Sequence, residues 1–164
     1  NRTKGAPMST VTPFLWFDGK AEEATNFYVA IFKNSKIKGI TRYSDAGPGP
    51  KGSVMTVALE LDGQEFVLLN GGPQFQFSMA TSFVVNCETQ KEVDDMWDKL
   101  SAGGKTLQCG WLTDKYGLSW QIVPTALPKL VLGQDQAKVN KVMQAMLGMT
   151  KIDIATLHHA YEQA

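Results

Sequence analysis

The stretch Pro13-Phe-Leu-Trp-Phe-Asp-Gly-Lys-Ala-Glu-Glu-Ala24, continued by Asn26-Phe-Tyr28, decides the fold. Its first half is a short apolar run ending in Asp18-Gly19, the pattern of a strand leaving for a turn. Its second half opens an amphipathic helix. Across Glu22–Lys33 the apolar positions are Ala24, Phe27, Tyr28, Ile31 and Phe32, which is the i, i+3, i+4, i+7, i+8 series of one helix face. The same series returns in Gln90–Ala102 at Val93, Met96, Trp97 and Leu100, always 69 residues further on. The offset also carries Phe14 onto Phe83. Self-similarity at a fixed offset means a repeated supersecondary unit.

Working outward, a strand precedes each helix, Val11–Phe17 and Thr81–Cys87. Strand-like runs follow each: Lys36–Tyr43, Val54–Leu61 and Gln64–Asn70 after the first; Lys105–Trp111, Leu112–Asp114 and Leu118–Val123 after the second. Asp62-Gly63 between two such runs is a two-residue hairpin signal. Asp45–Gly52 is a Gly/Pro loop, and Pro124 and Pro128 close the second set. The expected fold is therefore α+β. Two tandem βαβββ modules, about 10–73 and 78–125 within a paired domain 8–125, form a curled mixed sheet around a cavity. A helical extension, 126–164, follows. Residues 1–7, polar and ahead of Met8-Ser9-Thr10, read as a foreign leader outside the fold.

Composition narrows the function. The 164 residues carry 16 Lys plus Arg and 16 Asp plus Glu, so the chain lacks the basic excess of a nucleic-acid binder. No apolar run reaches the ~18 residues of a membrane span. The expected partners are accordingly a small molecule, with no nucleic acid and no membrane. Two cysteines, Cys87 and Cys109, rule out a disulfide scaffold and fit a cytoplasmic protein. Cys109 is expected on a strand of the second module, as an inert thiol, because no histidine in the body of the domain can activate it. The two histidines, His158 and His159, lie in the tail, adjacent on a helix and so pointing apart. No acid–base pair or nucleophile stands out, and no catalytic residue is named.

The quoted stretch, with Ser35-Lys-Ile37, Leu61-Asp-Gly-Gln64, Leu69-Asn-Gly-Gly-Pro73, Cys109-Gly-Trp-Leu-Thr-Asp114, Tyr116-Gly-Leu-Ser-Trp-Gln-Ile-Val-Pro124 and the tail pieces Gln144–Met146 and Lys151–Ile154, resembles the vicinal oxygen chelate superfamily. This is the glyoxalase, bleomycin-resistance and extradiol-dioxygenase superfamily. More narrowly it resembles the PhnB-like branch, often labelled 3-demethylubiquinone-9 3-methyltransferase. The resemblance implies paired βαβββ modules and a homodimer, whose partner the tail stripe Val139, Val142, Met143, Met146 and Leu147 would cover.

It also implies four metal-ligand positions, which fall on Thr12 or Pro13, on Phe66, Leu68 or Asn70, on Ala80 or Ser82, and on Gln121. Only Gln121 keeps a plausible ligand type, and a divalent site needs three or four converging N/O ligands. The expectation is a cavity without metal or other cofactor. Its candidate lining is Thr12, Phe14, Trp16, Phe66, Leu68, Asn70, Ser82, Cys109, Trp111 and Gln121, with Trp120 packed behind Gln121. Each aromatic can equally be core. The ligand is then small and partly apolar. Two alternatives stand beside this: a methyltransferase acting on a quinone-like aromatic, for which no Gly-x-Gly-x-x-Gly turn is present, and a resistance-type protein that sequesters a drug without chemistry.

Overall fold

The computed structural model describes residues 10–164, so the expected leader 1–7 lies outside the described residues. The chain divides into two compact units, one ending at Gln76, the other running from Phe77 to Ala164.

The first unit runs β1 (Phe14–Phe17), α1 (Ala21–Ile31), β2 (Lys36–Arg42), β3 (Val54–Leu61) and β4 (Gln64–Asn70). Its sheet has the order β1-β4-β3-β2, with β1 parallel to β4 and the other pairs antiparallel. Asp62 and Gly63 both take positive φ, 48° and 82°, as a type I′ turn demands. That turn sets Leu61 opposite Gln64, and hence Leu59 opposite Phe66 and Val57 opposite Leu68. The Leu59–Phe66 and Val57–Leu68 pairs, with Leu61, Leu15 and Phe17, are buried together with Ala21, Ala24, Tyr28 and Ile31 of α1. The helix covers one face of the sheet and leaves the other uncovered by it.

The second unit repeats the order: β5 (Ser82–Cys87), α2 (Gln90–Ser101), β6 (Lys105–Thr106), β7 (Trp111–Thr113) and β8 (Ser119–Pro124), in a sheet ordered β5-β8-β7-β6. Here β5 is parallel to β8. α2 starts where the Thr89 hydroxyl accepts from the Glu92 amide, while the Glu92 carboxylate accepts from the Glu88 amide at 2.7 Å. Val93, Trp97 and Leu100 of α2 are buried with Leu112, Trp120 and Ile122 of the sheet.

The helical extension contains α3 (Ala126–Val131), α4 (Gln136–Leu147) and α5 (Ile154–Glu162). Val142, Ile152 and Leu157 form its core, packed by Leu127, Leu130 and Met146 among others. Gln90 ties it to α2, donating to the Ile152 carbonyl at 3.0 Å and accepting from the Ile154 amide at 2.8 Å.

The paired βαβββ architecture holds, as two separate four-stranded mixed sheets and not one continuous sheet. Details differ from the sequence reading: β1 begins at Phe14 where Val11 was expected, and β2 ends at Arg42 where Tyr43 was expected. α3 forms where Pro128 suggested a break, because proline in a helix's first turn removes no needed hydrogen-bond donor. β6 keeps only two residues of the run Lys105–Trp111. Cys109 is therefore not on a strand. It sits in a turn with φ 59°, its amide bonded to the Met149 carbonyl at 2.8 Å.

Candidate functional site

Residue parity on β4 decides what the uncovered face of the first sheet displays. The parallel register sets Phe14 beside Val67 and Trp16 beside Leu69, so these four share the face away from α1. Phe14 is 59% exposed. Phe66 and Leu68, expected in the cavity, lie on the opposite side, 5% and 1% exposed in the core against α1. The correction has a simple cause. Strand side chains alternate with period two, so the hairpin register that buries Val57, Leu59 and Leu61 commits Phe66 and Leu68 to the same side. Thr12 precedes β1 and is half-buried.

The same parity brings Glu65 onto the open face, a residue the sequence reading did not single out. Glu65 is directly opposite Glu60 on β3, an unfavourable like-charge pairing unless a cation separates them. Lys38 supplies it. A register shift between Ile37 and Gly39 re-aims Lys38, whose Nζ lies 2.6 Å from Glu65 Oε1 and 3.4 Å from Glu60 Oε1. The two glutamates hold the Lys38 ammonium protonated above its ordinary range, the hydrogen bond to Glu65 contributing most. Lys36 lies 3.7 Å from Glu60.

Asn70 ends β4 at a different feature. Its Oδ1 accepts from the Ala21 amide at the start of α1 at 2.8 Å, and its Nδ2 donates to the Val54 carbonyl at 3.1 Å. Beside it opens a cavity of about 600 Å³ walled by Tyr43, Pro48, Ser53, Gly71 and Glu22. The Tyr43 hydroxyl donates to the Asn70 carbonyl, and its ring packs so close to Gly49 that a Cβ there would stand 2.4 Å away. The Gly/Pro loop is thus folded onto Tyr43. Trp16 donates from Nε1 to the Gly72 carbonyl at 2.8 Å and meets Phe75 edge-on at 5.0 Å.

On the second sheet, Gln121 is flanked by Val84 and Trp111 on the face away from α2, and Trp120 packs on the α2 side beside Phe83. Gln121 Nε2 donates to Ser82 Oγ at 2.9 Å. Ser82, Ser119 and Thr113 form one row across three strands, and the buried Ser119 hydroxyl has no hydrogen-bond partner among the described residues. Cys109 stands apart in its turn.

Metal fit follows from the donors. Asn70 Oδ1 is committed to the start of α1, the Gln121 amide faces Ser82, Phe66 and Leu68 are core, and Glu65 is neutralised by Lys38. Among the described residues no three His, Cys, Asp or Glu side chains converge. These residues do not fit a divalent ion.

Two four-stranded mixed sheets, each β-α-β-β-β with its helix on one side, define the class: a glyoxalase-like, vicinal oxygen chelate fold. Residues 9–123 match the sequence profile of the family described as 3-demethylubiquinone-9 3-methyltransferase. A solved structure from Bacillus cereus, described as a 3-demethylubiquinone-9 3-methyltransferase PhnB protein, is 41% identical, with TM-score 0.66 over 71% of this chain and 100% of that one. The protein PA1353 from Pseudomonas aeruginosa shares the fold at 18% identity and TM-score 0.59, over 71% and 98% of the two chains. So does the fosfomycin resistance protein FosX from Listeria monocytogenes, at 13% and 0.54, over 76% and 97%. Among curated proteins no match is found. The chain belongs to the PhnB-like, 3-demethylubiquinone-9 3-methyltransferase-type family of the vicinal oxygen chelate superfamily.

Proposed function

We propose that this chain binds a small, partly apolar ligand without a metal, on the sheet faces that the helices leave uncovered, and that it does so as a cytoplasmic homodimer. The observation that carries the reading is the composition of those faces. Phe14 and Trp16 on the first sheet, and Val84 and Trp111 on the second, project opposite the helices, with Phe14 and Val84 59% and 49% exposed. Large apolar groups left open on a sheet face favour an occupant that removes them from water. The homodimer rests on the family resemblance. The tail contributes less to it than its stripe suggested, since Val142 is already buried within its own unit, while Met143 and Leu147 stay exposed.

The test is titration with a neutral naphthalene probe, followed by isotope-edited NMR of Phe14, Trp16 and Trp111. The expected result is saturable shifts at these residues in metal-free protein. Shifts confined to other residues, or binding that requires added Zn, Mn, Ni or Fe, would count against it. A solution mass near a single 18.0 kDa chain would remove the dimer. Calorimetry with adenosyl-methionine tests the family's descriptive activity: no heat at high protein concentration removes the methyltransferase alternative. Recovery of a tightly bound drug with unchanged mass would favour sequestration over chemistry.

A further inference from the structure

The link between α4 and α5, residues 148–153, spends its backbone on a turn some forty residues earlier. The Cys109 amide donates to the Met149 carbonyl and the Gly110 amide to the Thr150 carbonyl, both at 2.8 Å. Ile152, 1% exposed, closes on the same turn: a Cβ at Gly110 would stand 3.0 Å from Ile152 Cγ1 and 2.9 Å from the Ile122 carbonyl oxygen. On its other side the link is fastened to α2. Gln90 donates to the Ile152 carbonyl and accepts from the Ile154 amide, and Lys151 Nζ lies 2.9 Å from Asp94 Oδ1. One short segment therefore bridges α2 and the turn that enters β7.

That turn is strained. Cys109 has φ 59° and Gly110 82°. The left-handed region is unfavourable for a residue with a side chain, which stays there only where its surroundings fix it. Here the link does the fixing, since it accepts from the amides of both residues. The next residue is Trp111, on the open face directly across from Gln121, and the Gly110 carbonyl accepts from the Ile122 amide at 2.8 Å. The place of the Trp111 ring thus follows from the docking of a segment that is not on the face. We infer that residues 149–154 are a positioning strap for the open face of the second sheet. Docked, the strap fixes the turn that places Trp111, and strap docking and occupancy of that face stabilise each other, because such coupling is reciprocal. Ile152 and Gln90 are its positioning residues. This rests on the proposed use of the open face and gives the helical extension a part in it.

The experiment follows fluorine signals of 5-fluorotryptophan and amide hydrogen exchange on the full chain. With 2-methoxynaphthalene at about ten times its dissociation constant, Trp111 is expected to shift, and exchange at Cys109, Gly110 and Ile154 to slow about tenfold. A Trp111 shift with unslowed exchange overturns the coupling and leaves the open-face reading standing. No Trp111 shift overturns the coupling together with that reading for the second sheet. Gln90→Met removes both bonds to the link and tests the positioning without a ligand. Exchange at Cys109 and Gly110, whose amides bond to Met149 and Thr150 and not to Gln90, is expected to quicken about tenfold. The Trp111 signal is expected to move while that of Trp16 stays. Quickened exchange with an unmoved Trp111 signal, or unchanged exchange, overturns the positioning. Should Gln90→Met fail to fold, Lys151→Met removes only a half-exposed ion pair and is read the same way, with exchange about twofold faster.

Discussion

The indole of Trp120 donates from Nε1 to Oδ2 of Asp114 at 2.9 Å, and both side chains are buried. Oδ1 of the same aspartate accepts from the Tyr116 amide at 2.8 Å and the Leu118 amide at 3.1 Å. One carboxylate therefore closes the β7–β8 turn and pins the residue behind Gln121. Replacing Asp114 by Asn turns a donor toward the indole N–H. The expected loss is about 2–3 kcal/mol in urea unfolding. Combined with Trp120→Phe, the loss should be less than the sum of the two single variants. Full additivity would show that the pair is not coupled.

Gly71 lies against the indole of Trp16, where a Cβ would stand 2.3 Å from the ring. Gly71→Ala must push Trp16 off its bond to Gly72 and reshape the open face. We expect about 1–3 kcal/mol of destabilisation together with a red-shifted tryptophan emission. An unshifted spectrum at unchanged stability would contradict the contact.

Asn70 joins the start of α1 to the start of β3 through one amide. Asn70→Ala removes the acceptor for the Ala21 amide and the donor to Val54, for an expected cost of about 1–2 kcal/mol. Asn70→Asp keeps the acceptor and should cost less. The urea midpoints of the two variants order the contributions, and an aspartate variant weaker than the alanine one would contradict the capping role.

Burial, with a smaller contribution from the Glu92 carboxylate, pushes the Cys87 thiol up to about 11. The sign follows from which state binds the proton. Between 9.0, the ordinary thiol value, and about 11 the unfolded chain releases the proton while the folded chain retains it. The stabilisation is complete below pH 9 and is lost as pH rises through 11. Cys87→Ala should flatten the pH dependence of stability in that window. At pH 8 a thiol reagent should modify Cys109 before Cys87; the reverse order would argue against the burial.

Local pattern made much of this fold legible. The i, i+3, i+4 series in both helices, the 69-residue offset and the Asp62-Gly63 turn are short-range signals, and each led to the observed element. Short range is also where the reading failed. Nothing within Lys105–Trp111 says that the strand stops at Thr106; the turn at Cys109 and Gly110 is held by the carbonyls of Met149 and Thr150, some forty residues away.

By itself the sequence determined the class: two β-α-β-β-β units, because hydrophobic period and turn chemistry are written within ten or so residues. Which side of β4 faces out was decided only in the tertiary structure. Phe66 and Glu65 are neighbours, and nothing in Gln64–Asn70 alone says which belongs to the core. The choice came from pairing β4 with β1 and β3 while α1 covered one face. Because successive strand residues point to opposite sides, that single choice buried Phe66 and Leu68 and put Glu65, beside Lys38, on the other side of the sheet.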